Sequence, residues 1–202
     1  MIRAPHRHIT TRAAGVVALV AGLLWLLRAW VQLADPVYWD PHSWIDYLAV
    51  ALYSAAMVAL TPPLAGLQRQ QEAHAGRLGR WTFYVTFWGA AATGIGNLLE
   101  DGLGPVFRPA GVVGLLLYLL GFAFLFLGLI PFGIAVLRAG VLARWIGVAL
   151  ILAVPVLLTF WERGGAALFG LIWIAIGGYL LDRSRRPAPL PALAFLARVS
   201  GS

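Results

Sequence analysis

The sequence predicts an all-α fold, a polytopic integral membrane bundle of six transmembrane helices with both termini cytoplasmic. Three observations carry that expectation. Six long apolar segments run approximately over 13–34, 44–67, 81–99, 110–137, 141–160 and 165–181, and a spanning helix needs roughly 20 mostly apolar residues. Across 202 residues, 61% hydrophobic and 11% charged content leaves too little polar surface to cover a soluble core. The charges also alternate by gap. Arg3, Arg7, Arg12, then Arg69, Arg77, Arg80, then Arg138, Arg144, and finally Arg183, Arg185, Arg186, Arg198 fill every second gap, the cytoplasmic side under the positive-inside rule. Asp35, Asp40, Asp46, Glu100, Asp101 and Glu162 fill the others, against Arg28, Arg108 and Arg163.

The first segment, with its basic flank, imitates a signal peptide. Gln32 would stand at the minus-three position of a cut after Ala34, where a small residue is wanted, so an uncleaved helix is expected. Arg28, Gln32 and Asp35 share one face of it. Aromatic residues Trp30, Tyr38, Trp39, Trp44, Tyr47 and Trp161 gather at the outer boundary, with Trp81 and Trp145 at the inner one, as interfacial belts do. The first outer loop carries two prolines that stiffen it. In the second segment Asp46, Tyr53 and Met57 lie on one side, and Pro62 and Pro63 predict a kink. Pro155 in the fifth occupies the corresponding place of an inverted three-helix repeat, but prolines are common in membrane helices and packing absorbs them.

The third segment holds the most pointed signal. Thr82, Thr86, Gly89, Thr93, Asn97 and Glu100 fall within roughly 80° of one another at 100° per residue, a polar stripe expected to face the interior. Threonines alone bond back to their own helix, whereas ionisable groups at membrane depth are usually functional or paired. The fourth segment spaces Gly114, Gly121 and Gly128 seven apart, and the sixth repeats the spacing with Gly170 and Gly177. These are helix-packing seams, within the molecule or toward another. The stretch Gln68 to Arg80 reads as the longest inner loop, and 187–202 as a mobile or surface-associated tail.

The absences narrow the function. Without lysine no Schiff base forms, and without cysteine there is no disulfide, thiolate catalysis or iron–sulfur cluster. The four histidines lie outside the spans, excluding a bis-histidine haem within the bundle. No hydrolase elbow, His-Glu-x-x-His helix or phosphate loop is present. Asp35, Asp40, His42, Asp46, Glu100 and Asp101 match no standard ligand spacing, so no metal and no cofactor is expected. The net charge of +7 sits in short loops beside lipid heads, which argues against nucleic acid.

The expected ligand site is Arg28, Gln32, Tyr53, Asn97 and Glu100, opening to the extracytoplasmic side, with Glu100 paired to Arg28. The leading expectation is a cell-membrane protein, more a binder than an enzyme, that binds or moves a small or lipid-like molecule. Two alternatives are an accessory subunit docking a membrane-protein partner or a second copy through its glycine seams, and an enzyme acting on lipid headgroups with Glu100 as acid/base. Membrane lipids are partners in every case.

Overall fold

The computed structural model describes residues 5–34, 43–160 and 164–185. The expectations for 35–42, for Glu162 and for the 187–202 tail lie outside the described residues. Every regular element described is helical: α1 (Pro5–Ala34), α2 (Trp44–Val58), α3 (Thr61–Gln71), α4 (Gly76–Asn97) running into a π-helical segment (Leu98–Leu103), α5 (Arg108–Ala139), α6 (Arg144–Thr159) and α7 (Ala166–Arg185). Chain neighbours are spatial neighbours. The helices close a ring in which α1 packs on α2 and α3, these on α4, α4 on α5, α5 on α6, and α7 returns to α1.

Four stretches, Thr11–Leu33, Trp44–Gln71, Arg108–Ala139 and Ala166–Arg185, are long and apolar enough to cross a membrane. α6, at 16 residues, is shorter, and α4 has the length, at 22 residues, but opens with Arg77 and Arg80. The outward surface fits a lipid solvent: Val16, Val20, Leu23 and Leu27 of α1 and Leu115, Leu116, Leu119, Phe124 and Leu127 of α5 are all exposed, far beyond the apolar patches of soluble monomers. The core is aromatic and branched aliphatic, with Trp25, Met57, Leu64, Phe132, Phe169 and Trp173 fully buried.

Glycine holds the ring together. On α4, Gly89 and Gly96 face Gly121 and Gly114 of α5; a methyl added at Gly96 would lie 2.8 Å from the Gly114 carbonyl oxygen, and one at Gly114 would lie 2.8 Å from that of Gly96. On α1, Gly15 and Gly22 answer Gly177 and Gly170 of α7, where methyls at Gly22 and Gly170 would lie 2.6 and 2.7 Å from the opposing carbonyl oxygens. Gly133 and Gly147 repeat the arrangement between α5 and α6. No side chain fits at such crossings, so backbones touch and dispersion acts at its shortest range. The sequence stripe showed one half of each seam. Its partners, Gly15, Gly22, Gly89 and Gly96, complete it within the molecule.

Two expected boundaries move. The second apolar segment is broken at Ala59–Leu60, because Pro62 cannot donate to the Val58 carbonyl. Thr61 Oγ1 donates to that oxygen instead, at 2.8 Å. The inner loop expected over Gln68 to Arg80 shrinks to residues 72–75, since α3 runs on through Gln71 and α4 starts at Gly76. Polar sequence marked where the apolar stretch ends, but helical hydrogen bonding continues beyond it.

Candidate functional site

The polar stripe of α4 is buried as expected, and most of it is structural. Thr82, Thr86 and Thr93 each donate to their own helix, to Leu78 O at 2.9 Å, Thr82 O at 2.7 Å and Gly89 O at 2.7 Å. These bonds satisfy the hydroxyls where α5 lies closest, Gly128 against Thr86 and Gly121 against Thr93. Asn97 turns toward α2 and donates from Nδ2 to Ser54 Oγ at 3.0 Å and to Val50 O at 3.4 Å. That amide bridges two helices.

Glu100 leaves the stripe. At Leu98 the chain passes from α-helical to π-helical turns, so the 100° step used to align Glu100 with Asn97 no longer applies. Its side chain is half-exposed, and no hydrogen bond or ion pair joins it to Arg28 among the described residues. The expected direct Arg28–Glu100 pair is therefore not formed. Beyond the apolar segment, burial raises the carboxyl of Glu100 above its ordinary range, helped by the neighbouring charge of Asp101, and burial raises Asp101 as well.

Three expected residues do come together. Arg28 Nη1 donates to Gln32 Oε1 at 2.8 Å, one helical turn above it. The guanidinium centre lies 4.9 Å from the centroid of the Tyr53 ring and 5.9 Å from that of Trp25, close enough for a cation–π contact with both. Trp25 and Tyr53 meet edge to face at 5.3 Å. Both are almost wholly buried, at 0% and 2% exposure, and among the described residues neither Trp25 Nε1 nor Tyr53 Oη has a hydrogen-bond partner. Such buried donors are uncommon and call for a water, ion or ligand.

Sequence reading missed a residue here. Tyr118 of α5 has its ring 6.3 Å from that of Tyr53 and lies within electrostatic reach of Arg28, Glu100 and Asp101. The two phenols are close enough to influence one another, although Tyr53 Oη completes no bond of ordinary geometry. The signal was present: Tyr118 stands between Gly114 and Gly121, a bulky polar ring near a face of glycines. Arg28, Gln32, Tyr53 and Tyr118 thus form the polar centre, with Glu100 and Asp101 nearby and Asn97 in a structural bridge. A second polar group, also unforeseen, occupies the opposite end, beside the turn between α3 and α4. Gln71 is fully buried and donates to Gln68 Oε1 at 3.1 Å, while Gln71 Oε1 and both amide atoms of Gln70 are buried without partners.

An all-helical bundle with long apolar helices, an apolar outer surface and a partly buried charge set beside aromatic rings belongs to the class of integral membrane proteins. No family model matches this chain, and neither the curated proteins nor the solved structures contain a match. Among the described residues no three histidine, cysteine or acidic side chains gather as metal ligands.

Proposed function

We propose that this is a six-span protein of the cell membrane, both termini cytoplasmic, that binds or moves a small or lipid-like molecule whose head carries acceptor oxygens. The site is the Arg28–Gln32–Tyr53–Tyr118 centre at the extracytoplasmic end. One observation supports it above others: Arg28 is held over Tyr53 while the Tyr53 hydroxyl beside it is buried without a partner. An acidic head would supply the acceptor that the Tyr53 hydroxyl lacks and an opposite charge beside Arg28, and charge-assisted bonds of this kind are the strong ones. The accessory-subunit reading loses its main support, because the glycine seams are occupied within the ring. The lipid-headgroup enzyme reading has less support, since Glu100 makes no direct hydrogen bond or ion pair with Arg28 although both lie within electrostatic reach of Tyr118.

Dodecyl phosphate and dodecanoate, added to the purified protein, are expected to raise its thermal midpoint. Tyr53→Phe should keep the unliganded midpoint, since no protein hydrogen bond is lost, and abolish the ligand-induced rise. Asn97→Leu should lower the unliganded midpoint itself by removing the bond to Ser54. A wild-type protein indifferent to both amphiphiles, or a Tyr53→Phe variant that responds as wild type does, would sink the reading.

A further inference from the structure

The ring closes thinly at one place, between α6 and α7. At the arginine-bearing end the two helices are tied: Trp145 and Tyr179 meet edge to face at 6.0 Å, the Ala143 backbone N–H donates to Tyr179 Oη at 3.2 Å, and Arg183 Nη1 donates to Tyr179 Oη at 2.7 Å and to Val141 O at 2.9 Å. Beyond that tie they part around an open groove of about 650 Å³. One face of α6, from Trp145 through Val148 and Leu152 to Val156, forms one wall, and Leu168 to Ala175 of α7 forms the other. Its lining is apolar throughout. Water is a poor occupant of such a space, which offers almost no hydrogen bonds.

The groove has a length and a charged mouth. The eleven helical steps from Trp145 to Val156 rise roughly 16 Å, about half of a hydrocarbon core roughly 30 Å thick. It therefore runs the depth of a single leaflet. At the mouth, where Trp145 marks the interface, Arg144 opens α6 and Arg183 and Arg185 close α7. Asp182 is the acidic residue in that turn of α7. Arg183 is pinned by its two bonds, yet a guanidinium carries five donors in all, so it retains capacity for an anion.

We propose that the α6–α7 groove is a site for one anionic phospholipid from the leaflet at the arginine end, an acyl chain lying along the groove and the phosphate between Arg144, Arg183 and Arg185. The lipid completes the ring where the protein leaves it open. It is a separate site from the Arg28 centre, with no lining residue in common.

The purified full-length protein, exchanged into mixed micelles of phosphatidylglycerol and phosphatidylcholine, is the material for native mass spectrometry. Wild type is expected to retain one phosphatidylglycerol in preference to phosphatidylcholine. Ala149→Trp, which fills the groove, should lose it; Leu171→Trp obstructs the groove from the α7 side and serves if the first variant does not fold. Arg144→Gln with Arg185→Gln should weaken retention by about fivefold per arginine and erase the preference for the anionic head. Equal retention of the two lipids, undiminished retention in the tryptophan variants, or a dimer in which a second copy replaces the lipid would each overturn the proposal.

Discussion

The Arg28 guanidinium shows how a single residue can be placed by its neighbours. It lies in an apolar helix, where a bare charge is costly, and the protein surrounds it with the Gln32 carboxamide and the faces of Tyr53 and Trp25. Arg28, Gln32 and Tyr53 were legible because a helical wheel aligns residues on straight helices. Glu100 was misplaced because the wheel fails where the helix changes pitch. The same residue carries a pH signature. A carboxyl raised in the folded state keeps its proton better than the unfolded chain does, so its stabilising effect is complete below the ordinary carboxylate range. That effect is lost as pH rises through the raised folded value. The thermal midpoint should accordingly fall between the ordinary value and the raised one, and Glu100→Gln should flatten that slope. A midpoint that climbs with pH across this window would contradict the burial of Glu100 and Asp101.

At the level of elements, the α4–α5 pair depends on atoms that are missing. A methyl at Gly121 would collide with the Thr93 backbone nitrogen, and one at Gly128 would lie 2.5 Å from Thr86 Oγ1. Backbone cannot swing aside as a side chain can. Gly121→Leu is therefore expected to exceed the roughly 1–3 kcal/mol of ordinary overpacking and to yield aggregated material on size exclusion. Gly178→Leu is the control, since no atom lies within 4 Å of the added carbon, and its elution should match wild type. Glycines seven apart could be read from the sequence as a seam, but what they met could not. Pairing is a tertiary fact: Gly89 could be placed on the stripe of α4, but Gly15, Gly22 and Gly96 look unremarkable until the facing helix is in place. The break at Ala59–Leu60 was half legible: proline foretold a kink, while the hydroxyl that repairs it, on Thr61, depends on local geometry.

For the molecule as a whole, the bundle and its lipid-facing surface follow from composition and charge, whereas the ring order and its thin closure do not. The absence of native cysteine makes orientation directly measurable. Val106, 86% exposed at the turn before α5, and His74, exposed between α3 and α4, lie at opposite ends. Val106→Cys should react with an impermeant maleimide in intact cells, and His74→Cys should react only after permeabilisation. The reverse labelling would invert the topology and place the Arg28 centre on the cytoplasmic side. The backbone seam between α4 and α5 also bears on the order in which the chain can be built. α4 leaves the ribosome first, yet it lacks the apolarity of the four strongest helices and opens with Arg77 and Arg80. α5 is the most apolar of them. An unaccompanied α4 would be a reluctant guest in lipid, and α5 follows it directly in the chain, so insertion of the two as a hairpin, with α5 committing α4, is the expected order.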